Sequence, residues 1–176
     1  MNLRSLRSII GLPVQDFSDG SLLGLIRDVI LDIPHRMIAG FWVKPLHLPI
    51  SNAVLQVSDI ADFKQSCFVR GDDVFASPGD IVKMQEHIHS ELQILFQPVY
   101  NLQGVYFGKV TDFAFDLKTF EIRQIFVQKV FLFVFPYQSR IIGMQRVKKI
   151  TPEAVIIDDR VDLAEPVIQF ALSKEV

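Results

Sequence analysis

The chain of 176 residues carries one arrangement of residues twice. Pro13-Val14, Gly20, Gly24, Asp28 and Asp32 recur as Pro98-Val99, Gly104, Gly108, Asp112 and Asp116. From Gly20 to Asp32 the offset is a constant 84 positions; Pro13-Val14 needs 85, so the first copy holds one extra turn residue. Two copies of one small unit constrain the architecture before any function is considered, because each must bury its apolar face against something. The repeat divides the chain into residues 1–92 and 93–176.

The pattern inside each copy is that of short strands. Each opens with a strand, Leu12 to Asp16 or Gln97 to Asn101, and a polar turn follows, closed by Gly20 or Gly104. The next strand runs from Gly24 to Asp32, or from Gly108 to Asp116. Its apolar residues are Ile26, Val29 and Leu31, matched by Val110, Phe113 and Phe115. Strict alternation would space them i, i+2, i+4. The observed spacing is i, i+3, i+5 in both copies, which predicts a β-bulge near Arg27-Asp28 and near Thr111-Asp112. Bent strands of this kind let a small barrel close. Further strands are expected at 37–43, 54–57 and 66–69, and at 121–127, 140–144 and 154–157.

Both copies end alike, with Ala76-Ser77-Pro78 and Ala164-Glu165-Pro166. Ser77 as N-cap, with Ile81, Met84, Ile88 and Leu92 at helical spacing, predicts an amphipathic helix over 78–93. Residues 166–174 are a shorter candidate. The fold expected is mainly β: two small barrels in tandem, each followed by a short α-helix.

The formal charge of −2 and pI near 6.1 argue against wholesale binding of nucleic acid. Apolar residues make up 49% of the chain, so the two units either bury a face against each other, form a homodimer, or present an apolar patch to a partner. Cys67 is the only cysteine, which excludes an intrachain disulfide and fits a reducing compartment. No signal peptide is read at the N-terminus, since Gln15 and Asp16 interrupt its apolar stretch early. The longest strongly apolar run, Val130 to Phe135, is far short of the ~20 residues of a membrane-spanning helix.

Each copy resembles the PRC-barrel, a small β-barrel domain. The residues carrying the resemblance are Gly11-Leu-Pro-Val14, Asp16, Gly20 and Gly24-Leu-Ile-Arg-Asp-Val-Ile-Leu-Asp32 in copy one. In copy two they are Pro98-Val99, Asn101, Gly104, Gly108-Lys-Val-Thr-Asp-Phe-Ala-Phe-Asp116 and Thr151-Pro-Glu-Ala-Val-Ile-Ile157. Copy two departs at Phe96-Gln97, where the family often has glycine. The family's described settings are the cytoplasmic part of the photosynthetic reaction-centre H subunit and the C-terminal domain of ribosome maturation factor RimM. The resemblance implies docking rather than catalysis and leaves the partner open.

The chemistry-bearing residues fit that implication. Asp28, Asp32, Asp112 and Asp116 read as turn and strand-edge carboxylates, because turn positions favour Asp. His87 and His89 stand two apart on the expected helix, a poor spacing for a metal. Cys67 lies in an expected inner strand, the place of an inert thiol. The Gly20-x-x-x-Gly24 spacing lacks the Lys-Ser/Thr ending of a phosphate loop. No catalytic, cofactor-binding or metal-binding residue is therefore assigned, and no enzymatic activity is expected.

The least ordinary segment is Val130 to Tyr137, apolar at consecutive positions where a half-exposed strand would alternate. It fills a groove between units or between two copies of the chain, or it docks a protein partner or a membrane face. The candidate contact surface is Phe131, Leu132, Phe133, Phe135 and Tyr137, with Phe41 and Trp42 as the copy-one counterparts. The function expected is adaptor or assembly work through protein–protein contacts, in the cytoplasm or peripheral to a membrane complex. The alternative is a role in RNA metabolism or ribosome maturation, through Arg146, Lys148 and Lys149.

Overall fold

The computed structural model describes residues 2–90, 92–131 and 135–158. Its elements begin with β1 (Leu3–Ser5) and a one-turn helix α1 (Leu6–Ile9). Then come β2 (Pro13–Asp16), β3 (Leu22–Asp32), β4 (Met37–Pro45), β5 (Ala53–Gln56), β6 (Ile60–Phe63) and β7 (Cys67–Val69). A helix α2 (Val82–Ile88) leads to β8 (Pro98–Asn101), β9 (Tyr106–Asp116), β10 (Ile122–Phe131), β11 (Phe135–Gly143), β12 (Val147–Ile150) and β13 (Val155–Ile157).

The strands form two curled sheets, ordered β5-β4-β3-β2-β7-β6 and β11-β10-β9-β8-β13-β12. The second order repeats the first, down to one parallel pair in each, β2 with β7 and β8 with β13. The fold is mainly β, as expected. The bulges are present too. Ile26 pairs with Val43 and Asp28 with Trp42, leaving Arg27 extra. Val110 pairs with Val127 and Asp112 with Phe126, leaving Thr111 extra. At each bulge the aspartate Oδ1 accepts the N–H of the next residue, Val29 or Phe113, at 2.8 Å. These bonds satisfy amides that the interrupted ladder leaves over.

The paired glycines Gly24 and Gly108 are explained by crowding. A Cβ on Gly108 would lie 2.5 Å from the carbonyl oxygen of Gln128, and one on Gly24 would lie 2.8 Å from Val43 Cγ1. Both strands cross a neighbour too closely for a side chain.

The sheets meet about a local two-fold relation at the β3–β4 and β9–β10 turns. Ile38 N–H donates to Phe120 O at 2.9 Å, and Ile122 N–H donates to Arg36 O at 2.8 Å. Donors and acceptors are each 84 positions apart, and Met37 and Glu121, also 84 apart, bridge between them. Phe120 then packs edge-on against Phe41 at 6.1 Å and lies 6.4 Å from Phe63. In return the Arg36 guanidinium donates to Met144 O at 3.0 Å and Val147 O at 2.9 Å. The buried residues of both sheets accordingly join in one apolar cluster, from Ile9, Val14 and Phe41 to Val99, Phe113 and Ile157.

Two elements differ from the sequence reading. The helix expected over 78–93 is a 3-10 turn, Pro78–Asp80, followed by α2, which ends at Ile88. Ile81 breaks it at φ −101 and ψ 86, which lets its side chain pack against Ile30 and Val54. Ile94, wholly buried, draws the following residues into the core rather than into a further helical turn. Ser77 makes no capping bond; instead the Gln85 side-chain amide donates to Pro78 O. The second departure is β1, which sequence patterning did not identify. Leu3, Arg4 and Ser5 pair with Asp116, Phe115 and Ala114, adding a seventh strand to the second sheet. The helix expected over 166–174 lies outside the described residues.

Candidate functional site

Neighbouring residues on a strand face opposite ways, and β4 sorts its two aromatic residues accordingly. Phe41 is 0% exposed and is ringed by Phe63 and Phe120. It holds the core and cannot be a partner contact, which corrects its assignment from sequence. Trp42, on the other face, is half-buried and lines a cleft of about 290 Å³.

The β10–β11 hairpin outruns its sheet. β10 pairs with β9 only from Ile122 to Gln128, whereas its pairing with β11 continues through Lys129–Gln138 and Val130–Pro136 to Phe131–Phe135. Leu132 and Phe133 lie outside the described residues, as do the side chains of Phe131, Phe135 and Tyr137. The basic residues cluster on or beside β12. Lys148 and Lys149 are exposed, and Lys148 pairs with Asp158 at 3.4 Å; Arg146 is half-buried.

The carboxylates serve the backbone. Asp32 Oδ1 accepts the His35 N–H at 3.1 Å, and Asp116 Oδ1 accepts the Lys118 N–H at 2.9 Å. The Lys118 amide holds the Asp116 carboxyl below the usual carboxylate range, with the Thr119 amide and Arg123 adding to the effect. Asp16 takes the Ser18 hydroxyl and amide on Oδ1 and the Gly71 amide on Oδ2, and the Ser18 bonds lead in lowering its pKa. Burial pushes the Cys67 thiol up to about 12, so it carries no thiolate at neutral pH. Among the described residues no group of three or more His, Cys, Asp or Glu side chains is arranged to hold a metal ion.

The cleft beside Trp42 lies between the outer face of β3–β4 and the linking segment. Trp42, Ile30, Phe113 and Phe96 supply apolar wall, and Asp28 and His87 supply polar groups. His87 Nε2 stands 3.8 Å from Asp32 Oδ2, whose carboxylate also meets His35 Nδ1 at 2.8 Å. A second hollow of about 270 Å³ lies over Phe63, Phe120 and Lys64. Sequence reasoning missed the first cleft because its walls come from both copies and the linker. The available signal was Phe96, an aromatic residue at a family glycine position.

Half-open β-sheets with locally bonded carboxylates describe a small β-barrel-like scaffold. Within the chain, residues 1–63 match the PRC-barrel domain family, and a PRC-barrel domain is thus found there, spanning β1 to β6. No curated protein matches the sequence. Among the described residues no helix is long and apolar enough to cross a membrane.

Proposed function

We propose that the chain is a tandem PRC-barrel protein, residues 1–92 and 93–176, that works as a non-catalytic adaptor or assembly factor. Its contact element is the β10–β11 hairpin. The observation that carries this reading is the overhang: strand pairing continues past the last β9 partner through the sequence Val130-Phe131 and Phe135-Pro136. A paired hairpin beyond its sheet offers a preformed surface, so little chain entropy is lost on binding. Aromatic residues there give large contact area at low rotamer cost. The repeated strand order and the equivalent bulges support a second barrel beyond the matched residues 1–63. The family resemblance favours a cytoplasmic setting at the periphery of a membrane or photosynthetic complex.

The test is affinity purification from the native host with wild type and Phe133→Asp. A specific co-purifying protein lost in the variant, with an unchanged circular dichroism spectrum, supports the adaptor role. Unchanged partners remove the hairpin from it. The second reading, RNA contact, rests on the exposed Lys148 and Lys149 beside Arg146. It requires binding that weakens steeply with salt and is lost when both lysines become alanine.

A further inference from the structure

Three non-glycine residues have positive φ: Arg36 at 57°, Phe120 at 57° and Phe96 at 63°. Left-handed backbone costs an ordinary residue free energy, so each needs a reason. Arg36 and Phe120 have one, since their carbonyls and side chains make the reciprocal contacts between the sheets. Phe96 is different. Its repeat counterpart is Gly11, with φ 83°, and the two make the same hydrogen bond, Gly11 N–H to Ile26 O and Phe96 N–H to Val110 O, both 2.8 Å. The fold therefore asks for positive φ at this place and is satisfied by glycine. It does not ask for a phenyl group, and that group is 69% exposed.

What distinguishes the second place is the cleft. Phe96 stands at its edge, with Trp42, Phe113 and Ile30 as further wall. Its volume of about 290 Å³ lies just under the lower bound of about 300 Å³ for ligand sites, which suits only a small ligand. Asp28 lines the same space. Its Oδ1 is taken by the Val29 amide, while Oδ2 accepts no hydrogen bond among the described residues. His87 carries a second carboxylate, Asp32, behind it at 3.8 Å. A cleft lined by both a tryptophan and a carboxylate favours a cation over an anion.

We infer that this cleft binds a small planar aromatic cation between Trp42 and Phe96, with Asp28 as its counter-charge. The site is separate from the hairpin and stands whether or not the hairpin docks a protein. Phe96 keeps its strained backbone because the phenyl group closes the site over the ligand.

Trp42 is the only tryptophan, so its fluorescence reports the site directly. The probes are benzamidine and its neutral counterpart benzamide, titrated against the full chain and checked by calorimetry. Benzamidine is expected to give a saturable change, with benzamide weaker by roughly tenfold, the size of a partly desolvated cation–π contact. Asp28→Asn keeps an acceptor for the Val29 amide and should abolish that preference. Phe96→Gly should raise the melting temperature by releasing strain, yet weaken benzamidine by roughly tenfold or more. Absence of a saturable response, equal affinity for the two probes, or unchanged affinity in Phe96→Gly would overturn the inference.

Discussion

Arg36 and Phe120 stand at one place in the repeat, 84 positions apart, with the same φ of 57°. The backbone at both does one job: its carbonyl accepts an amide N–H from the opposite sheet. The side chains do opposite jobs. Phe120 enters the apolar space of the first sheet against Phe41 and Phe63. Arg36 reaches to the second sheet and donates to the carbonyls of Met144 and Val147, at the tight turn between β11 and β12. A repeated backbone arrangement can thus keep its local symmetry while its side chains divide, one half receiving apolar contact and the other receiving hydrogen bonds.

The long strands diverge in the same way. The end of β9 is completed by β1, the N-terminal strand. The matching stretch of β3, Ile30 to Asp32, is met instead by Ile81 and the α2 helix that follows it, with Ile81 and Ile88 packed at Ile30 and His87 near Asp32. Each unit is finished by chain lying outside its own barrel strands.

The strongest way to break this comparison is through the shared core. Phe41→Ala should cost about 3–5 kcal/mol. Because both sheets join in one buried cluster, it should lower a single cooperative transition followed by circular dichroism and by Trp42 fluorescence. Two separated transitions would mean that the units are independent. Next in size is the exchange itself. Phe120→Ala is expected to cost about 2–4 kcal/mol, and Arg36→Ala about 1–3 kcal/mol by removing two hydrogen bonds to partly buried carbonyls. Urea denaturation of both variants and of the double variant measures their coupling, and strict additivity would deny that the two contacts form one interface.

A smaller effect is expected at the paired left-handed positions. Gly11→Ala should cost about 1 kcal/mol, and Phe96→Gly should stabilise by no more than about 1 kcal/mol. Equal signs for the two changes would remove the strain ascribed to Phe96. The smallest effect separates the opening turns by pH. Asp16 holds the β2–β3 turn through bonds that depress its pKa, while Asn101 holds the β8–β9 turn with Oδ1 on Gln103 and Val105 amides at 3.0 and 2.8 Å. A depressed folded pKa contributes stability that is present above the unfolded value of ~3.9 and lost as pH falls through the folded one. Acidification below that value should therefore speed amide exchange at Ser18 and Gly71 and leave Gln103 and Val105 unchanged.

Much of this was legible in the chain. The i, i+3, i+5 spacing located both bulges, and the recurring aspartates marked the turns they now bond. Local rules cover such features because their causes lie within a few residues. Phe41 and Trp42 could not be told apart as contact residues by composition alone, since only the sheet decides which face is covered. The helix over 78–93 failed for a related reason: its periodicity was real, but Ile81 and Ile94 were claimed by different parts of the core. The cleft was hidden because its walls are drawn from β3, β4, the linker and β9.

By itself the sequence determined a recurring residue pattern, the places of most strands along the chain and the kinks that curl each sheet, since spacing, turn residues and alternation act locally. Tertiary structure alone decided that Leu3 to Ser5 would complete a sheet more than a hundred positions away, and that Phe120 would pack against Phe41 and Phe63 of the other half. Those choices turn on which exposed edge and which apolar gap remain once the sheets have curled, and no short window of residues contains that information.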